Sequence, residues 1–133
     1  DRLVFHALAF EWRGRVWLLT GPSGAGKTTH YLRWKLRYGE ELRLLNGDKP
    51  LLEIPPEGAI TVHPSPWYGK EGMQQYFSGP LGGIILLEKA AENRIRRMTR
   101  WSRHFWSGRR SGCCKTAATA PLRSFAAIPC QRS

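Results

Sequence analysis

Gly21-Pro22-Ser23-Gly24-Ala25-Gly26-Lys27-Thr28 meets the spacing G-x-x-x-x-G-K-[ST] at every fixed position. The apolar run Val16-Trp17-Leu18-Leu19 leads into it, and the helix-compatible stretch Thr28 to Tyr38 follows. Polyphosphates need several backbone N–H groups converging on one point. Glycines let the backbone wrap that closely, and the N-terminus of the next helix adds its positive end. The spacing therefore predicts a nucleotide-binding loop over Gly21, Pro22, Ser23, Gly24, Ala25, Gly26, Lys27 and Thr28, with Thr29 at the helix start. Lys27 is expected to reach the β- and γ-phosphates, and the Thr28 hydroxyl to ligate Mg²⁺. The competing explanation is a glycine-rich turn that binds nothing. At an ordinary glycine frequency of about 7%, a chance match in a chain this long is on the order of one in a hundred, which favours the binding loop.

Outward from this loop the chain alternates strand-like and turn-like segments. Leu3 to Phe10 reads as a strand, Glu11 to Arg15 as a turn, and Val16 to Thr20 as the returning strand. Gly39 ends the helix. Leu42 to Leu45, Leu51 to Ile54 and Ala59 to His63 read as short strands separated by Asn46-Gly47-Asp48-Lys49-Pro50 and Pro55-Pro56-Glu57-Gly58. Met73 to Phe77 reads as a short helical piece. Pro80-Leu81-Gly82-Gly83 introduces Ile84-Ile85-Leu86-Leu87, a continuous apolar run expected to be buried on both faces. Ala90 to Arg100 reads as helix. The expected fold is α/β with a mixed sheet.

The chain has 133 residues and a net charge of +11, unevenly distributed. All ten acids and fifteen of the 21 Lys and Arg lie in residues 1–100; residues 101–133 hold six bases and no acid. The expected organisation is a nucleotide-binding domain over 1–100 and a basic tail over 101–133. That tail, interrupted by Pro121 and Pro129, reads either as disordered or as translation out of frame from GC-rich DNA, with the second preferred; an uninterrupted frame on resequencing would refute it. The start at Asp1 reads as that of a fragment. The cysteines, Cys113, Cys114 and Cys130, all fall in the tail and lack the spacing of a zinc site. No apolar run approaches the ~20 residues of a membrane span, so a cytoplasmic protein is expected. The positive charge raises nucleic acid as a partner, but no basic stripe interleaved with aromatics is present, and a biased tail accounts for it better.

Phosphoryl transfer also needs a carboxylate near the metal and the incoming hydroxyl. Asp48 is the natural candidate, because it follows a short strand and so can reach the carboxyl edge of the sheet; the plainer alternative is a turn aspartate. Glu88, at the end of the strongest strand, is a second candidate, with an ion pair the simpler reading. Lys70 and Glu71 lie in a loop that could close over substrate. Arg94, Arg96 and Arg97 read as a solvated face. His63 opens the Pro/Trp/Tyr/Gly loop, whereas His6, His30 and His104 read as structural or exposed.

Taken together, Gly21 to Thr29, Leu44-Leu45-Asn46-Gly47-Asp48-Lys49-Pro50, His63-Pro64-Ser65-Pro66-Trp67-Tyr68-Gly69-Lys70-Glu71-Gly72 and Pro80-Leu81-Gly82-Gly83-Ile84-Ile85-Leu86-Leu87-Glu88 resemble the kinase core of the HPr kinase/phosphorylase family. That family shares its nucleotide fold with ATP-dependent phosphoenolpyruvate carboxykinase. The resemblance covers roughly residues 1 to 100 and is closest to small bacterial HPr kinase-like proteins. It implies a serine kinase using ATP and Mg²⁺ on a protein or peptide hydroxyl, with Lys27 and Thr28 on phosphate and metal. Asp48 would fall in the family's acidic motif, where two consecutive acids serve as metal ligand and base. This chain has one acid there, between Gly47 and Lys49. The alternatives are a non-catalytic or truncated nucleotide-binding module and, from a different class, a basic nucleic-acid-binding protein.

Overall fold

Trp12 pairs with Arg15 across a two-residue turn in which Arg13 (φ 52°) and Gly14 (φ 73°) both have positive φ. This geometry matches the right-handed twist of the strands it joins. In the computed structural model, which describes residues 1–67, 69 and 75–97, the turn links the two strands from which the rest of the fold extends. They are β2 (Leu8–Trp12) and β3 (Arg15–Thr20), preceded by β1 (Arg2–Val4). Helix α1 (Lys27–Tyr38) follows β3 and ends at Gly39, whose N–H bonds the Lys35 carbonyl; a single 3₁₀ turn (Gly39–Glu41) comes next. Then come β4 (Leu42–Asn46), β5 (Leu51–Glu53), β6 (Thr61–His63) and β7 (Gly79–Leu86). The chain divides into two compact units, Asp1–Ala91 and Glu92–Ser133.

The first unit is a mixed α/β structure with a seven-stranded sheet in the order β1-β5-β6-β7-β3-β2-β4. Only β3 and β7 pair in parallel; the other neighbours are antiparallel. Because β2 runs antiparallel to both β3 and β4, those two strands point the same way. The carboxyl ends of β3, β4 and β7 therefore share one direction.

The two ends of this order are tied together by chain continuity. β1 runs on into β2 and β4 into β5, and the two connections pair with each other: Phe5 N–H donates to the Pro50 carbonyl at 3.0 Å and Ala7 N–H to that of Asp48 at 2.9 Å. Residues 2–12 and 42–53 thus form one long bent ribbon, irregular at Ala9/Phe10. Phe5, Ala7, Ala9, Val16, Leu18, Leu45, Leu52 and Val62 pack on one side as the core. On the other side α1 docks through Tyr31, Trp34 and Tyr38, spaced to share a helix face. Phe10 meets Tyr31 at 5.7 Å and Trp34 at 5.4 Å between ring centroids, and Trp12 meets Tyr38 at 5.6 Å. Leu32 and Leu36 point outward, which is why the apolar period of this helix reads poorly in the sequence.

Several expectations are corrected. The strand expected over Leu3 to Phe10 is broken at residues 5–7, which bond to the 48–50 turn instead. Gly82 and Gly83 do not precede the apolar strand but lie inside β7, where the Trp17 ring presses against them: a Cβ on either would stand 2.8–2.9 Å from it. Ile84 to Leu87 are half-buried rather than enclosed on both faces. Residues 75–77 and 90–97 are not helical. Residues 73–74 and 98–100, which complete the two expected helices, lie outside the described residues, as do the tail over 101–133 and its three cysteines.

Candidate functional site

The Gly21–Gly26 loop leaves β3 at Thr20 and enters α1 at Lys27, at the end of the sheet where Leu87 N–H donates to the Thr20 carbonyl at 2.8 Å. Gly21 passes Leu87 so closely that a Cβ on it would stand 2.5 Å from that residue's carbonyl oxygen. Ala25 N–H closes a turn on the Pro22 carbonyl at 3.0 Å, and His30 N–H makes an early helical bond to Gly26 at 2.8 Å. Gly24 (φ 76°) and Gly26 (φ 94°) are left-handed, a conformation that side-chain-bearing residues adopt at a cost. A Cβ on either would meet nothing within 4 Å, so that face of the loop is open.

The start of α1 is suited to negative charge. Its N-cap, Gly26, offers no side-chain acceptor, and no acid occupies the first turn. A helix's first-turn N–H groups have no acceptor within the helix. The Lys27 side chain arcs back over the loop, its Nζ 3.1 Å from the Gly21 carbonyl oxygen and 3.4 Å from that of Pro22. Thr28 is half-buried and Thr29 exposed. One turn on, burial and the nearby Arg33 hold the His30 imidazole below its usual pKa, favouring the neutral ring that lies 5.0 Å from Trp34.

Asp48 sits just past the carboxyl end of β4. Its turn is organised by Asn46, which is fully buried and so more than the turn residue expected from the sequence. The Asn46 Oδ1 accepts from the N–H groups of Asp48 (3.0 Å) and Lys49 (2.8 Å). Its Nδ2 lies within hydrogen-bonding distance of the Ser65 carbonyl (3.2 Å), the Ser65 hydroxyl (3.1 Å) and the Trp67 carbonyl (3.3 Å). The Ser65 hydroxyl in turn donates to the Lys49 carbonyl. The Asn-Gly dipeptide was the available signal, since asparagine bonding to the backbone two residues on is a known turn device. The Asp48 carboxylate is met by His6 Nε2 at 3.2 Å and Lys49 Nζ at 3.8 Å. His6 is anchored to the loop's strand, because the Thr20 hydroxyl donates to its carbonyl at 2.9 Å. Short bonded links therefore join Asp48 to the residue preceding Gly21.

Glu88 follows Leu87 beside Gly21 and is exposed. His63 is engaged elsewhere: Nδ1 lies 2.8 Å from the Ser78 hydroxyl and Nε2 2.9 Å from Glu53. The His63 hydrogen bond, followed by the charge of Arg2, holds the Glu53 carboxyl below its usual pKa. In the second unit Arg94 pairs with Glu92 at 2.9 Å, and Arg96 and Arg97 are exposed. Lys70, Glu71 and His104 lie outside the described residues.

Among the described residues no three His, Cys, Asp or Glu side chains cluster to hold a metal. A cation held by Asp48 and Thr28 would complete its shell from phosphate and water, which would suit Mg²⁺ better than Zn²⁺. The open glycine face, the acid-free helix start and the curled lysine fit a nucleotide with such a metal. Among the described residues no helix is long and apolar enough to cross a membrane.

No protein-family model matches this chain, and no curated protein matches its sequence.

Proposed function

We propose that this chain binds ATP with Mg²⁺ in the Gly21–Thr28 loop and acts as an HPr kinase-like enzyme, passing the γ-phosphoryl group to a serine hydroxyl of a protein or peptide. The observation that carries the reading is the open, left-handed face at Gly24 and Gly26, with Lys27 curled over the loop's first carbonyls. Backbone N–H groups of the loop and helix start cradle the phosphates. Lys27 exchanges its two backbone acceptors for β- and γ-phosphate oxygens, which an ammonium binds more strongly because the bonds are ionic at both ends. Thr28 and Asp48 hold the metal, which, when bound, neutralises the charge that builds on the transferring group.

In the transfer, the acceptor's hydroxyl oxygen forms a bond to the γ-phosphorus as the bond to the β-phosphate oxygen breaks. ADP leaves, and the hydroxyl proton passes to the Asp48 carboxylate. Asp48 is tied through His6 to Thr20, so it would be held in fixed relation to the loop rather than brought in by a moving segment.

The test is single-turnover transfer from γ-labelled ATP to serine-containing peptides and to bacterial phosphocarrier protein. Label on a serine that is lost in Asp48→Asn supports the kinase reading. ATP binding without transfer to any acceptor would make the chain a nucleotide-binding module instead.

A further inference from the structure

The outward face of β1, β5, β6 and the start of β7 carries a line of polar side chains that nucleotide binding does not use. Leu52 and Val62 belong to the core. By the alternation of a strand, their neighbours Glu53 and His63 point to the opposite face. Register brings these two together, because His63 pairs with Leu51, two places from Glu53 on β5. Val62 pairs with Gly79, which sets Ser78 beside His63. The Ser78 hydroxyl lies 2.8 Å from His63 Nδ1, and Glu53 Oε2 lies 2.9 Å from His63 Nε2. Arg2 donates to the other oxygen of Glu53, Oε1, at 3.5 Å. Ser78, His63, Glu53 and Arg2 thus form one continuous chain of hydrogen bonds.

The partners fix where each proton sits. The His63 hydrogen bond, and then the charge of Arg2, hold the Glu53 carboxyl below its usual pKa, so it is ionised and only accepts. A neutral His63 therefore carries its proton on Nε2 and donates it to Glu53. Nδ1 is left as an acceptor facing the Ser78 hydroxyl. Nucleophile, base and a carboxylate that fixes the base's tautomer are the parts of an activated serine. The group is also reachable: Ser78 is exposed, and His63 keeps 29% of its side-chain surface. Across the same face from His63 come Leu51 and then Val4, an apolar strip beside the ring.

We propose that Ser78 is a nucleophile served by His63 and Glu53, and that it takes the acyl group of small esters with a good leaving group. The Ser78 Oγ forms a bond to the acyl carbon, and its proton passes to His63 Nδ1. The bond from that carbon to the leaving oxygen breaks, and the leaving group takes up the proton from His63. The products are an ester of Ser78 and an alcohol or phenol. Ser78 and His63 are the catalytic residues, and Glu53 is a positioning residue. The site is independent of the nucleotide loop. The eight residues of β7, at about 3.3 Å each, put roughly 25 Å between Ser78 and the end of the strand beside Gly21.

The experiment treats the full chain with p-nitrophenyl acetate at pH 8 and locates acetyl groups by mass spectrometry of proteolytic fragments. Wild type, Ser78→Ala, His63→Gln and Glu53→Gln are compared, with folding checked by circular dichroism. Native wild type should gain acetyl on Ser78 at least about a hundredfold faster than the same chain unfolded in urea, as a positioned general base provides. Label at this position should vanish in Ser78→Ala and fall about a hundredfold in His63→Gln. Glu53→Gln, which gives up a hydrogen bond to a charged group, should lose about tenfold or more. The ¹⁵N shifts of the His63 ring separate positioning by Glu53 from mere support of the fold. They should place the proton on Nε2 in wild type and share it with Nδ1 in a folded Glu53→Gln. If His63→Gln does not fold, the ratio of native to unfolded rates in wild type decides. The proposal is overturned if Ser78 reacts no faster in the native chain than in urea, if folded His63→Gln reacts as wild type does, or if the acetyl group is found on His63 instead. Equal rates in Glu53→Gln and wild type would overturn the part given to Glu53.

Discussion

Gly21 and Leu87 lie against each other where the parallel strands β3 and β7 end, with room for no atom between the Gly21 α-carbon and the Leu87 carbonyl oxygen: a Cβ on Gly21 would stand 2.5 Å away. The obstacle is backbone, which cannot swing aside as a side chain does. Gly21→Ala is therefore expected to destabilise the domain by about 1–3 kcal/mol, the usual range for overpacking a tight site. The midpoint of urea unfolding measures it, and an unchanged midpoint would mean that the two strands separate easily.

Gly24 presents the opposite case. A Cβ there meets nothing within 4 Å, so only the backbone conformation (φ 76°) resists it. Gly24→Ala should cost about 1 kcal/mol of stability but lower ATP affinity at least about fivefold, through loss of one charge-assisted hydrogen bond to phosphate. Comparing chemical unfolding with ATP titration separates the two effects. Equal binding by wild type and variant would show that the open face is not where phosphate sits.

Asn46 is the buried fastening of the Asp48 turn. Its side chain bonds two backbone N–H groups on one side and the Ser65–Trp67 segment on the other. Asn46→Ala removes the partner of the buried Ser65 groups and of the part-buried Asp48 and Lys49 N–H groups and should destabilise by about 2–3 kcal/mol. Asn46→Asp keeps the acceptor for Asp48 and Lys49 but faces the Ser65 and Trp67 carbonyls with an acceptor in place of a donor, so it should also be unstable. Differential scanning calorimetry of both variants checks this.

Acidification should weaken the fold, and the sign follows from His30 and Glu53. His30 is held below its ordinary value of 6.5 by burial and then Arg33, so the unfolded chain takes up a proton there before the folded one does. Stability is therefore whole above pH 6.5 and is lost as pH falls toward the folded-state value. Glu53, lowered from 4.5 by its hydrogen bond to His63 and then by Arg2, adds a second loss in the same direction below pH 4.5. Unfolding midpoints measured from pH 8 to pH 4 should decline, and His30→Phe should flatten the part of the decline that begins near neutrality. A stability that rises on acidification would contradict both assignments.

The elements nearest the glycine loop were legible because their signals are local. Val16 to Thr20, the loop and Thr28 to Tyr38 each carry their own turn or cap chemistry, and the structure places them almost where the residues suggest. Asp48 too was found at a strand's end, from the turn residues around it. What escaped was set by contacts distant in sequence. The break at residues 5–7 exists because the chain bonds to residues 48–50, some forty positions away, and nothing between Leu3 and Phe10 announces it. Asn46 looked like turn punctuation because its partners at Ser65 and Trp67 follow an intervening pair of strands. Gly82 and Gly83 looked like a turn because the ring that requires them belongs to Trp17. His63 appeared poised at a loop mouth, yet Glu53 and Ser78 take both of its ring nitrogens.

The central claim is that the Gly21–Thr28 loop holds a nucleotide's polyphosphate with Lys27. Calorimetric titration of the full chain and of Lys27→Ala with Mg·ATP tests it most directly. One saturable site in the wild type, weakened at least about tenfold by loss of an ammonium bonding charged oxygens, is the predicted result. Absence of binding in the wild type, or the same affinity in both proteins, would contradict it.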